Sequence, residues 1–121
     1  MPTLDHVALA VADPERSLAF YRDVVGLEGT AEEAAYGFVV RTPNGVTFTL
    51  FRGAPATALG ESHIGFSRAA ADDVRDFRAG LPSRGVRELE WNEEADHVSV
   101  KVADPDGYVV EVGWDNPRVV D

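Results

Sequence analysis

Four short segments of this chain alternate between bulky apolar residues and small or polar ones, which is the pattern of a β-strand with one buried face. The segments are predicted near residues 4–11, 46–51, 62–68 and 108–114. In these segments the face opposite the bulky residues carries His6, Thr49, His63 and Glu111, in that order. The bulky faces suit packing beneath helices, so we expect the small and polar faces to line a cleft.

Glu111 is the least expected residue in this pattern, because it interrupts an apolar run of valines. The run follows Asp104-Pro105-Asp106-Gly107, in which proline presets φ and glycine accepts the positive φ of a tight reversal. A carboxylate near the middle of a strand is costly to bury without a partner. Glu111 is therefore predicted to face water, a cation or a metal ion.

Two helices are predicted between the strands. Asp13 as N-cap and Pro14 in the first turn begin one helix, and Gly26 stands where a C-terminal glycine belongs. The second helix is predicted to begin at residues 71–73 and to end at residues 82–85. Further strands are predicted near 36–41, 86–91 and 97–103. The order of elements is β-α-β-β-β, twice.

The two halves of the chain repeat one pattern of turns and strands at low sequence identity. When the halves are aligned, His6 falls under His63 and Thr49 falls under Glu111. Small residues beside each histidine leave room for a ligand. We therefore predict an N-terminal module, residues 1–57, and a C-terminal module, residues 58–121, which together form one domain.

Composition narrows the possible functions. The 121 residues carry a formal net charge of −10, and no basic stripe is present to follow a phosphate backbone, which argues against nucleic acid as a partner. The acidity has two interpretations, solubility or attraction of a cationic ligand. There is no cysteine, and nothing in the sequence is typical of a signal peptide or a membrane span. We predict a cytoplasmic protein.

Three stretches resemble the vicinal oxygen chelate superfamily, also called the glyoxalase/bleomycin resistance/extradiol dioxygenase group. They are the first strand and helix, the start of the second module and the last turn and strand, at residues 4–27, 63–66 and 104–111. The resemblance implies an α+β fold in which two βαβββ modules curl round a shared cleft. It also implies a homodimer, with each site built either within one chain or across the two chains.

Metal-binding members of this group use four positions, which in this sequence are His6, Thr49, His63 and Glu111. Three of these residues are competent ligands, and two imidazoles with one carboxylate suit Fe, Mn, Zn, Ni or Co. The resemblance thus implies a divalent metal on His6, His63 and Glu111 that chelates a small oxygen-bearing organic substrate. A metal-dependent enzyme of lyase, isomerase, dioxygenase or thiol-transferase type is the function we expect.

Some positions depart from the patterns of particular members. Thr49 replaces the second-position ligand of glyoxalase I-like enzymes, and Lys101 stands where extradiol dioxygenases carry a tyrosine. Lys101 is the candidate base, and Thr49 is the candidate for orienting a bound water. His97 lies outside the ligand set. It is predicted to be a surface residue or to contact the metal ligands without binding the metal itself.

The alternative function is a metal-free binding protein of the bleomycin-resistance type, which sequesters a cationic or aromatic drug. Aromatic side chains can stack on such a ligand. The candidate substrate-binding residues, for either function, are Phe38, Phe51, Trp91 and Trp114.

Overall fold

Each half of the chain forms a four-stranded mixed sheet, and the two sheets have the same strand order. The computed structural model describes residues 2–57 and 61–117. The chain divides into two compact units, Met1–Ala58 and Leu59–Asp121. The predicted module boundary falls beside residues 58–60, which lie outside the described residues.

The first unit begins with strand β1 and a capped helix. The Asp13 carboxylate accepts hydrogen bonds from the backbone N–H groups of Glu15 and Arg16, and Gly26 ends the helical region in the left-handed conformation, as predicted. Strand β1 is parallel to β4, and the other pairs are antiparallel, in the order β1-β4-β3-β2. The elements are β1 (His6–Val11), α1 (Pro14–Ala19) with a π-helical continuation (Phe20–Val25), β2 (Thr30–Ala34), β3 (Gly37–Arg41) and β4 (Thr47–Arg52).

Strand β2 is the element that the sequence pattern does not locate. Its residues, Thr-Ala-Glu-Glu-Ala, contain no bulky apolar side chain that would reveal a buried face. The strand lies at the edge of the sheet and pairs with β3, and Glu32 forms an ion pair with Arg41 of β3 at 2.9 Å. An edge strand needs little burial, and charged side chains discourage pairing with other chains.

The second unit repeats this arrangement. Its strands are ordered β5-β8-β7-β6, again with one parallel pair, β5 with β8. The elements are β5 (Ile64–Ser67), α2 (Ala71–Ala79), a 3-10 turn (Pro82–Arg84), β6 (Glu88–Glu93), β7 (His97–Ala103) and β8 (Val109–Asp115). The predicted fold class, α+β with two βαβββ modules, is confirmed.

Each sheet buries one face beneath its own helix. In the first unit Tyr21 packs edge-on against Phe48, with ring centroids 4.8 Å apart. In the second unit the buried apolar side chains come from alternate strand positions and from the helical region: Val98, Val100, Val102, Val110, Val112, Val74 and Leu81. The opposite face of each sheet keeps the small and polar residues that the alternation predicts. No helix in the described part of the chain is long and apolar enough to cross a membrane.

Candidate functional site

The second unit carries a row of small and charged residues across one sheet face. Strand register places Gly65, Glu111, Lys101 and Glu90 side by side on β5, β8, β7 and β6. Residues in register point to the same side of a sheet, so their side-chain positions lie together, opposite the buried valines. We call this side of the sheet the Glu111 face.

His63 and Glu111 meet on this face. The His63 Nε2 atom lies 2.9 Å from Glu111 Oε2, and the His63 Nδ1 atom lies 3.0 Å from the backbone carbonyl oxygen of Glu61. Both ring nitrogens therefore face oxygen acceptors. A neutral imidazole carries a single N–H, so it cannot donate to both oxygens at once. Either a proton or a metal ion must lie between Nε2 and the carboxylate.

This geometry fits a divalent metal. Ligand atoms about 2.1 Å from one ion and at right angles to each other lie about 3 Å apart, close to the observed Nε2–Oε2 separation. A ligating histidine commonly donates its other N–H to a backbone carbonyl, which is the contact that His63 makes with Glu61. Gly65 faces Glu111 across the strand pair, and a Cβ added there would meet nothing within 4 Å. Space for a ligand therefore remains beside the carboxylate.

His6 occupies in the first unit the place that His63 occupies in the second. Each histidine lies two residues before a small residue, Ala8 or Gly65, and that small residue pairs with Thr49 or Glu111. The His6 Nδ1 atom lies 2.5 Å from the Asp5 carboxylate, a contact that orients the ring and leaves Nε2 available for another partner.

The part of the chain that the structure describes contains no group of three or more histidine, aspartate or glutamate side chains arranged to hold a metal ion. Of the three predicted ligands, the structure brings together His63 and Glu111.

Lys101 is held by an acidic neighbour. Its Nζ atom lies 3.1 Å from Glu90 Oε2, and Glu90 also accepts a hydrogen bond from Asn92. The hydrogen bond from Lys101, followed by the one from Asn92, lowers the pKa of Glu90 below its usual value. Lys101 thus lies beside Glu111 in the sheet, while its ammonium group forms an ion pair with Glu90.

The four aromatic residues predicted to bind substrate are not gathered on the polar faces. Phe51 shares the face of Thr49, since it is two residues along the same strand. Phe38 pairs with Leu50 and so faces the buried side of the first sheet. Trp91 and Trp114 pair with buried valines, and the Arg78 guanidinium of α2 stacks over Trp91 at 4.2 Å. Both tryptophans therefore lie opposite the Glu111 face.

A second polar cluster on the Glu111 face was not predicted as a unit. His97 Nδ1 lies 2.7 Å from the Asp115 carboxylate, and His97 Nε2 lies 2.9 Å from Ser99 Oγ. His97 and Ser99 are two residues apart on β7, which is the one signal in the sequence. Asp115 reaches His97 only through the pairing of β7 with β8.

Comparison with known proteins decides the family. The family model described as Glyoxalase/Bleomycin resistance protein/Dioxygenase superfamily matches residues 3–112. The chain belongs to this superfamily. The resemblance inferred from its motifs is confirmed, and the fold of its two units agrees with the folds of solved members.

A curated relative and two solved structures illustrate the family. A manganese-dependent 2,3-dihydroxybiphenyl 1,2-dioxygenase from Geobacillus genomosp. 3 is 27% identical over 114 residues, covering 91% of this chain and 36% of the relative. The chain thus spans about a third of that relative's length. Lactoylglutathione lyase from Agrobacterium tumefaciens matches with a TM-score of 0.73 and 22% identity, covering 94% of each chain.

The second solved structure is a genomically encoded fosfomycin resistance protein, FosX, from Listeria monocytogenes, complexed with Mn(II) and sulfate ion. It matches with a TM-score of 0.80 and 16% identity, covering 98% of this chain and 94% of that one. The relatives therefore include proteins named as enzymes, and divalent metal binding occurs within the family.

Proposed function

We propose that this chain is a divalent-metal-dependent enzyme of lyase or dioxygenase type that acts on a small organic substrate with neighbouring oxygen atoms. The observation that carries the proposal is the contact between His63 and Glu111, in which both imidazole nitrogens face oxygen acceptors. His6 is the third ligand of the proposal, supported by its equivalent place in the repeat and by its contact with Asp5.

The residues of the Glu111 face have distinct parts in this proposal. The backbone carbonyl of Glu61 accepts a hydrogen bond from His63 Nδ1 and so orients the ring with Nε2 toward the Glu111 carboxylate. Glu111 supplies the negative charge that would attract a divalent cation to the two neutral imidazoles. When bound, a divalent ion supplies Lewis acidity that polarises substrate oxygens.

Lys101 and Thr49 remain the candidates for handling protons and water. Lys101 is held by Glu90 beside Glu111, which places an ammonium donor next to the proposed ligands. It would act as a base only after giving up a proton. Thr49 stands at the position of the first unit that corresponds to Glu111, and its hydroxyl is suited to orient a bound water.

We expect protein purified without chelator to contain a transition metal in an amount comparable to the number of chains. Mn(II) is the first metal to test on reconstitution, because the dioxygenase relative is manganese-dependent and FosX was crystallised with Mn(II). Elemental analysis measures the content, and calorimetric titration of chelator-treated protein measures the affinity. Protein that contains no transition metal and takes up none of Mn, Fe, Zn, Ni or Co would refute the proposal.

We further expect a homodimer, and mixed variants show whether its sites cross the two chains. His6→Ala and Glu111→Ala chains, unfolded and refolded together, should regain one metal site per heterodimer if His6 of one chain joins His63 and Glu111 of the other. Neither variant alone should bind metal tightly. If mixing restores no binding, each site lies within one chain, and a monomer in light scattering at micromolar concentration would contradict the dimer itself.

A further inference from the structure

His97 stands between a hydroxyl and a carboxylate in the order that serves nucleophilic catalysis. Its Nδ1 atom lies 2.7 Å from Asp115 Oδ1, and its Nε2 atom lies 2.9 Å from Ser99 Oγ. A carboxylate at Nδ1 fixes the tautomer that carries its proton there, which leaves a lone pair on Nε2 to accept the Ser99 hydroxyl proton. This is the connectivity by which a serine is activated in acyl-transfer enzymes.

The strands of the second sheet hold this cluster in place. His97 pairs with Asp115 across β7 and β8, and Ser99 pairs with Gly113 in the same register. All three polar side chains therefore lie on the Glu111 face, supported on regular strands rather than loops. Ser99 itself is only 2% exposed, whereas the Asp115 side chain is 59% exposed.

Gly113 is the cross-strand neighbour of Ser99 and puts no side chain over the buried hydroxyl. A Cβ added at Gly113 would lie 3.4 Å from Ser99 Cβ and 3.3 Å from Glu111 Oε1, closer than most packed Cβ contacts. Even a methyl group would be crowded here, so only glycine leaves Ser99 approachable from the β8 side of the Glu111 face.

We propose that Ser99, His97 and Asp115 form an acyl-transfer triad that cleaves small neutral or cationic esters, an activity separate from the proposed metal chemistry. Ser99 is the nucleophile, His97 is the general base, and Asp115 is a positioning residue that acts through His97. Anionic esters are disfavoured because Glu111 and Glu90 lie on the same face.

The reaction proceeds in two balanced steps. Ser99 Oγ forms a bond to the ester carbonyl carbon while its proton passes to His97 Nε2, and the ester C–O bond then breaks as the alcohol leaves with that proton. Water next attacks the acylated Ser99 and gives its proton to His97, and the serine oxygen recovers that proton as the carboxylic acid departs. Asp115 stays ionised throughout and stabilises the imidazolium.

The test uses p-nitrophenyl acetate and the full-length wild-type protein in the presence of a chelator. We expect release of p-nitrophenol together with an acetylated protein, and peptide mapping should place the acetyl group on Ser99. This mapping depends on no variant, so a folding defect cannot obscure it. Acetylation that is absent, or that falls on another residue, would overturn the proposal.

Three variants separate the roles of the triad. Ser99→Ala should remove the acetylation, and His97→Ala should slow it by about 100-fold or more, the usual contribution of a general base. Asp115→Asn preserves the size of the side chain but disturbs the tautomer, and it should slow acetylation by about tenfold, less than at a buried aspartate because solvent reaches Asp115. Unchanged acetylation in Ser99→Ala would refute the triad.

Chelator also distinguishes this activity from the proposed metal site. Ester cleavage that disappears with chelator and leaves no acetylated serine would come from a metal-bound nucleophile and would overturn the triad while supporting the metal proposal.

Gly113→Ala provides a matched test of access, since it narrows the approach to Ser99 without altering any triad residue. It should slow acetylation, and a faster reaction would contradict the assigned approach.

Discussion

Replacing Glu111 with alanine should lower the affinity for Mn(II) by at least about 100-fold, while the second unit stays folded. Loss of a supporting residue near a metal already costs about 10–100-fold in affinity, and Glu111 is proposed as a direct ligand. The Glu111 side chain is 20% exposed and lies on the face opposite the buried valines of β8. Its removal therefore leaves the packing of those valines unchanged. Calorimetric titration measures the affinity.

The accompanying stability change should be small. A part-exposed ion pair contributes about 0–1 kcal/mol, so metal-free Glu111→Ala should unfold with nearly the wild-type free energy. Glu88→Ala is the matched control, because Glu88 belongs to the same sheet but pairs with Arg78 on the helix side. The control should keep its Mn(II) affinity. A Glu111→Ala protein that melts far below wild type without metal would make Glu111 a structural residue.

Most of the strands and the ends of the first helical region were predictable because their residues obey local rules. Alternation located the strand that carries Glu111, and Asp13 and Gly26 stand where helix ends need them. Strand β2 was not predictable, since an exposed edge strand requires no apolar alternation. Its existence depends on pairing with β3, which is tertiary information.

The candidate site was predictable only in part, for similar reasons. Glu111 was visible as a carboxylate among valines, and the repeat pointed to His63. Trp114 was assigned to substrate binding for its aromatic ring, although alternation along β8 puts it on the side of the buried valines. Trp91 follows a register shift near Glu88 in β6, which a sequence pattern does not reveal.

Gly37→Ala should strongly destabilise the first unit. Gly37 begins β3 with φ +150°, and an added Cβ would lie 2.0 Å from the backbone oxygen of Leu50. Because that oxygen belongs to the neighbouring strand β4, relief requires β3 and β4 to separate where Gly37 pairs with Phe51. We expect a loss of about 3 kcal/mol or more in the free energy of unfolding, measured by chemical denaturation.

Gly45→Ala isolates the cause of this loss. Gly45 also has positive φ, +88°, but a Cβ there would meet nothing within 4 Å. Its substitution should cost only the backbone strain of a left-handed residue, about 1–2 kcal/mol. If the two variants lose equal stability, backbone conformation alone explains both. A larger loss in Gly37→Ala means that contact with β4 fixes the glycine, and with it the strand pairing that positions Thr49 beside Ala8.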